Sequence, residues 1–311
     1  MRGPLVVRLC NWVGEVVLSV PAIRRLESAG YALHLVGKSW APALLAGTGW
    51  SVTVRRSGIV GASRQIRALK SLLASPEVPA YPALLMTKSL SSALETRFGG
   101  LSPEGYAYDG RSLLLSRAFA LPKFAHASFS YWHLVSDFLG EEAPYPTQVG
   151  LRPSETQTRQ AKALLATHGV KSGAFLMVCP FSGPDDKERR KVWPGFRALT
   201  TSLHGRGIAV LACPGPGEEA MSGALPGVIS LPGVDLGVYA ALLAQAQTVI
   251  ANDTGPGHLA AAVGARLVSI YAPGSSSVWT PLGANVILMH EPAWPSVDRV
   301  VAASLAVERD S

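Results

Sequence analysis

One repeated order constrains the fold of this chain more than any other feature. Short apolar runs stop at Gly, Pro, Asp or a charged residue, and a longer amphipathic segment follows each. LVVRLC (5–10), ALHLVG (32–37) and PALLMTK (82–88) are such runs in the first half. The second half adds AFLMVCP (174–180), GIAVLACPG (207–215), GVISLPG (227–233), QTVIAND (247–253) and RLVSIYAPG (266–274). Continuous apolar runs suit parallel strands covered on both faces, and their alternation with helical segments is the pattern of βαβ units. A helix is expected over 16–29, and another over 154–169 that opens at Ser154 as N-cap and closes at Gly169. WPGFRALTTSLHG, DLGVYAALLAQA and GPGHLAAAVGA fill the remaining gaps. A further helix over 60–75 places Arg64, Arg67 and Lys70 on a polar face, read as a solvated surface.

The chain has 311 residues, too many for one ordinary core and enough for two domains of roughly 150 residues each. EEAPYPTQVGLRPS is rich in Pro and polar residues, so the boundary is expected near 140–153, dividing the chain into 1–152 and 153–311. The expected class is α/β, two Rossmann-like doubly wound halves with a ligand crevice between them at the carboxyl ends of the strands. Hydrophobic residues make up 48% and charged residues 16% of the chain, which excludes wholesale disorder. The formal charge of +7 suits an acidic partner, either phosphate groups or an anionic membrane surface. The basic residues are scattered and no aromatic-basic recognition motif occurs, so nucleic acid is not expected as a partner. Cys10, Cys179 and Cys213 have neither CxxC spacing nor a His/Cys cluster, and read as reduced, buried small hydrophobes. Arg8 and Glu15 interrupt the N-terminal apolar run, and no stretch of about 18 apolar residues occurs. The expected location is cytoplasmic, with peripheral contact to the inner membrane.

Four constellations sit just after strands. In CNWVGEVVLSVPAIRRL, Gly14 lies in a short turn where its missing side chain permits a sharp bend or close approach to a ligand. Glu15 opens the following helix. It serves either as a carboxylate favourable to the helix dipole or as a general base facing a cleft. GxGxxG is absent, which argues against a dinucleotide fingerprint on this turn. In FSGPDDKERRKVWPGF (181–196), Asp185 and Asp186 precede Lys187, Arg189, Arg190 and Lys191. Pro194 is expected near the first turn of the next helix. A lysine at a strand end ahead of a helix start is placed to meet a diphosphate, although a solvated loop fits the same composition. The DD pair is not the DxD arrangement that holds a metal.

The third constellation is QTVIANDTGPGHLAAAVGARLVSIYAPG (247–274). A buried strand runs into Asp253, Thr254 and Gly255, and a helix of small residues follows at once. Gly255 and Gly257 expose backbone N–H groups at that start, where the helix dipole favours an anion. His258 lies one turn beyond Thr254. Asp253 also reads as a plain N-cap. In CPGPGEEAMSG (213–223), Glu218 or Glu219 follows a strand where an acid can bond a ribose hydroxyl.

These segments, taken in order, resemble glycosyltransferase family 9, the ADP-heptose:lipopolysaccharide heptosyltransferases. NWVGEVVLSVPAIRRL looks like the family's opening turn, most like the heptosyltransferase II branch. KVWP (191–194) resembles its Lys-x-Trp-Pro motif, and NDTGPGHLAAAVGARLVSIYAPGSSSVWTPLG (252–283) its donor-site signature. SSALETRFGG (91–100), GYAYDGRSLLLSR (105–117) and the spacing from His126 to Tyr131 match more weakly. The resemblance implies a GT-B fold, with the acceptor on the N-terminal half and the ADP-sugar on the C-terminal half. It implies inverting transfer with no metal or other cofactor. It places Glu15 as the catalytic acid-base residue and Lys191 on the donor diphosphate. Asp253, Thr254, Gly255 and His258 would then line the phosphate and sugar end. Glu218 would hold the ribose, with Glu219 as the alternative. The family usually has Asp where this chain has Glu15.

Three functional readings follow. The first is heptosyl transfer from ADP-heptose to a phosphorylated, lipid-linked inner-core acceptor. The second is the same chemistry with another nucleotide-sugar or acceptor, and the third is a binding protein that no longer turns over.

Overall fold

The computed structural model describes residues 2–73, 81–123, 126–181 and 191–306. The chain divides into two compact units, Met1–Pro146 and Thr147–Ser311. Residues 147–152, grouped with the first half on composition, go with the second unit, where Leu151 N–H donates to Ala262 O at 2.8 Å.

The first unit runs β1 (Gly3–Arg8), α1 (Val13–Ser28), β2 (Tyr31–Gly37), α2 (Ala41–Leu45), β3 (Ser51–Val54), α3 (Ile59–Leu73), β4 (Pro82–Leu85), α4 (Leu90–Phe98), β5 (Ser102–Tyr106), β6 (Arg117–Phe119) and α5 (Ala127–Leu139). Its six parallel strands lie in the order β3-β2-β1-β4-β5-β6. Leu5, Val7, Leu35 and Leu84 are wholly buried, as strands covered on both faces require. Trp12 takes an extended conformation (φ −111°, ψ 144°), so α1 starts at Val13. Gly14 therefore stands inside the first helical turn and not in a preceding loop. Gly30, in the left-handed region at φ 92°, reverses the chain between α1 and β2.

The second unit runs α6 (Glu155–Thr167), β7 (Leu176–Cys179), α7 (Phe196–Gly205), β8 (Val210–Ala212), α8 (Glu219–Gly223), β9 (Val228–Ser230), α9 (Leu236–Gln245), β10 (Thr248–Asn252), α10 (Gly255–Ala262), β11 (Leu267–Ile270), β12 (Val286–Met289) and α11 (Val297–Leu305). Ser154 caps α6 in a full capping box with Gln157, and Gly169 follows the helix at φ 68°. The strands are again all parallel, in the order β12-β11-β10-β7-β8-β9. Counted from β7, this is the same order as in the first unit, a structural repeat that no similarity of sequence announces.

In both sheets the order reverses between the first and fourth strands, at β1/β4 and at β7/β10. The carboxyl ends of such a pair are where open α/β sheets bind ligands. No helix among the described residues is long and apolar enough to cross a membrane.

Candidate active site

Gly14 and Glu15 belong to the first unit, and the other six candidate residues to the second. In the first unit, β1 delivers Arg8 to the start of the turn. Arg8 is buried and its Nε meets Glu95 Oε1 at 2.8 Å, while Arg55, just beyond β3, brings its Nε within 2.8 Å of Glu95 Oε2. Glu95 has no exposed surface, so two cations balance one fully desolvated carboxylate. Arg8 also donates from Nη2 to Asn11 Oδ1 at 3.0 Å and from Nη1 to Leu9 O. These bonds fix the turn that leads to Glu15.

Glu15 is the third residue of α1 and half-buried. Burial raises its pKa above the ordinary 4.5; the Lys88 charge, the Trp12 and Asn11 N–H groups and the Tyr131 hydroxyl oppose that rise. Tyr131 OH donates to Glu15 Oε1 at 3.5 Å. Tyr131 itself is buried and its pKa is held far up by burial, then by the Cys10 and Glu15 charges. Lys88 follows β4, so the acid and the cation stand at the ends of the two switch-point strands. Because burial outweighs these donors, the Glu15 carboxylate is more basic than one in water, which suits it to accept a proton. The same N–H contacts give Glu15 a helix-capping role, so its structural and chemical readings coexist.

In the second unit, Asn252 organises the end of the sheet. Its side chain is fully buried; Oδ1 accepts the Trp193 N–H at 3.0 Å and Nδ2 donates to Pro180 O at 2.9 Å. One amide thus ties together the ends of β7 and β10 and the 191–193 turn. Lys191 is thereby held at the same edge of the sheet as Asp253, Thr254 and Gly255. Trp193 anchors the turn from below: its Nε1 donates to Pro295 O at 3.1 Å and its ring meets Phe196 edge-on at 5.3 Å. A Cβ on Gly195 would collide with the indole. Because Gly195 caps α7 and the helix begins at Phe196, Pro194 lies in the turn ahead of the helix, not in its first turn. Asp185–Arg190 of the charged loop lie outside the described residues.

Thr254, not Asp253, is the N-cap of α10, and its side chain makes no capping bond. The buried Tyr271 hydroxyl donates to Trp279 O at 2.8 Å, and burial and then the Asp253 charge push its pKa upward. Gly257 keeps the helix close to the strand: a Cβ there would stand 3.3 Å from Asn252 O. His258 is buried on the same turn of α10. Glu218 Oε2 accepts the Gly215 N–H and Glu219 Oε2 the Gly217 N–H, both at 2.8 Å. Only Glu218 also influences the switch point, where its charge adds to the raised pKa values of Cys179 and Tyr239, both dominated by burial. An indentation lined by Gln148, Arg152, Val263 and Asn285 lies at the opposite end of α10 from these residues. Among the described residues, no group of three or more His, Cys, Asp and Glu side chains gathers as metal ligands would.

The end residues are legible in the sequence, whereas the supporting roles of Asn252, Lys88, Tyr131 and the Arg8–Glu95–Arg55 cluster are not. Asn252 is legible only as the residue preceding Asp253. The others come from separate elements, and no local pattern connects them.

The family model of glycosyltransferase family 9 (heptosyltransferase) matches residues 80–305, which contain Lys191, Glu218, Asp253, Thr254, Gly255 and His258 and exclude Gly14 and Glu15. The lipopolysaccharide heptosyltransferase 3 of Escherichia coli is 31% identical over 115 residues, which make up 33% of this chain and 34% of that protein. The match therefore spans about a third of that curated relative. Among solved structures, E. coli ADP-heptose LPS heptosyltransferase II aligns with a TM-score of 0.79 at 20% identity, covering 96% of this chain and 97% of that one. E. coli heptosyltransferase WaaC with ADP aligns with a TM-score of 0.74, also at 20% identity, over 96% and 98%. At such identities the likeness carries the fold, two doubly wound halves of the GT-B class. On the family match over most of its length, this chain belongs to glycosyltransferase family 9, the heptosyltransferases.

Proposed function

We propose that this chain transfers heptose from ADP-heptose to a phosphorylated, lipid-linked inner-core acceptor of lipopolysaccharide, with inversion and without a metal. The observation that carries the reading is the Asn252 tie, which sets Lys191 beside the Asp253–Gly255 helix start within the family-matched region. A cation and a helix N-terminus at one strand end suit a diphosphate. Support also comes from the relatives: WaaC was solved with ADP and with ADP-2-deoxy-2-fluoro heptose.

In the proposed reaction an acceptor hydroxyl attacks the anomeric carbon as the bond to ADP breaks. Glu15 takes the hydroxyl proton, worth about 10²–10⁴ in rate. ADP leaves with its charge met by Lys191 and the N-terminus of α10. Glu218 bonds the ribose, while Asp253, Thr254 and His258 line the phosphate and sugar end. Gly14, in the first turn beside Glu15, leaves room for the donor. Neither a metal nor another cofactor has a part in the step.

The test is ADP release from ADP-heptose with and without a mono-heptosylated acceptor, for wild type and Glu15→Gln. Acceptor-dependent release, at least a hundredfold slower in the variant and unchanged by a chelator, is expected. Tight ADP binding without release would overturn heptosyl transfer. Glu15, standing where the family usually has Asp, favours a second reading in which the sugar or acceptor differs. Release from another ADP-sugar, but not ADP-heptose, would select it.

A further inference from the structure

The charge of this chain is unevenly divided. Residues 1–146 carry 15 Lys and Arg against 9 Asp and Glu, a net of +6, whereas residues 147–311 carry 13 against 12, a net of +1. Within the first unit, residues 28–76 hold Lys38, Arg55, Arg56, Arg64, Arg67 and Lys70 and no acidic residue. Exposed large apolar side chains follow the same division. Eight of the eleven among the described residues lie in the first unit.

The two properties coincide on α3. Ala62 and Ile66 are buried, and Leu69 and Leu73 pack against the core. At the helical repeat, Val60, Arg64, Arg67 and Leu72 fall on the opposite arc. Val60 is 63% and Leu72 83% exposed, with Arg64 and Arg67 exposed between them. α4 extends the surface: Arg67 Nη2 donates to Phe98 O at 2.8 Å, Phe98 is 57% exposed and Arg97 is exposed. A face kept only for solubility would mix both signs of charge and avoid exposed Leu and Phe. Cations interleaved with apolar side chains on one helix face are the pattern of a helix lying in a lipid interface.

We propose that the outer face of α3, continued by Arg97 and Phe98 of α4, docks this chain on an anionic lipid bilayer. Arg64 and Arg67 meet headgroup phosphates, while Val60, Leu72 and Phe98 enter the boundary with the acyl chains. The docking holds whichever sugar and acceptor the chain uses.

Flotation of the full chain with lipid vesicles tests it. Wild type is expected to bind vesicles containing phosphatidylglycerol, to leave pure phosphatidylcholine vesicles unbound, and to lose binding in high salt. Each basic residue near the surface contributes about fivefold, so Arg64→Glu with Arg67→Glu should weaken binding at least about 25-fold. Leu72→Ser should weaken it without changing its salt dependence. Arg159→Glu with Arg206→Glu makes the same change in net charge on exposed positions of the second unit and should leave binding within about threefold. Equal binding to neutral vesicles, no binding to anionic ones, or an equal loss in the control pair would each overturn the proposal. Oligonucleotide binding that exceeds vesicle binding, and is lost in the Arg64/Arg67 variant, would overturn it in favour of nucleic acid.

Discussion

Glu15 is held between opposed demands. Burial raises its pKa, while Lys88, two backbone N–H groups and the Tyr131 hydroxyl lower it. If Glu15 is the base, the acid limb of kcat/KM lies above pH 4.5. Removing the Tyr131 hydroxyl takes away one stabiliser of the carboxylate, so Tyr131→Phe should move that limb to higher pH in a pH–rate profile. The stability linkage has the same sign. A carboxyl whose folded pKa exceeds its unfolded one contributes stability at low pH that is lost as pH rises through the folded value. Glu15→Gln keeps an acceptor for the Trp12 and Asn11 N–H groups but removes the desolvated charge. Its melting temperature at pH 7 is therefore expected to equal or exceed that of wild type while turnover collapses. Glu95 behaves oppositely. Glu95→Gln leaves the buried Arg8 and the partly buried Arg55 without their counter-charge and should cost about 3–5 kcal/mol in denaturant unfolding.

At the scale of elements, the proposed role of Lys191 depends on Asn252, a residue that need touch no ligand itself. Asn252→Leu would leave the Trp193 N–H and Pro180 O without partners, at about 1–3 kcal/mol each. It would also release the turn that holds Lys191. ADP affinity measured by calorimetry should then fall together with that of Lys191→Ala. An unchanged affinity would detach Lys191 from the donor. The same scale explains what was legible beforehand. β1, β7, β10 and β11 are buried on both faces, so their apolar runs stand out in the sequence. β5 reads SPEGY and β6 reads RAF. Neither reads as an apolar run, and each is a strand because a neighbour offers an edge: β5 pairs with β4, and β6 with β5. β12, which had no expectation, is half-exposed and short. The motif residues were legible because strand ends carry local signals. The buried ion cluster was not, because its members lie 40 and 87 residues from Glu95.

At the scale of the molecule, two units with one strand order divide the proposed work. Donor binding confined to the second unit makes a regional forecast for hydrogen exchange on the full chain. Saturating ADP should slow exchange in β7, β10 and α10 and leave β1 and α5 unchanged. At 100-fold excess over Kd the added stability is about 2.7 kcal/mol, enough to resolve peptide by peptide. Protection centred on α1 would reverse the assignment of the two halves.

The repeated strand order has one more consequence. After the first and fourth strands, the first unit places Glu15 and Lys88, and the second places Lys191 and Asp253. The same pair of sockets is filled with opposite polarity. An ancestral half that duplicated and fused would have supplied both sockets at once, leaving later substitutions only to choose their sign. Specialisation would then have needed few changes, since the scaffold already decided where a charge has leverage.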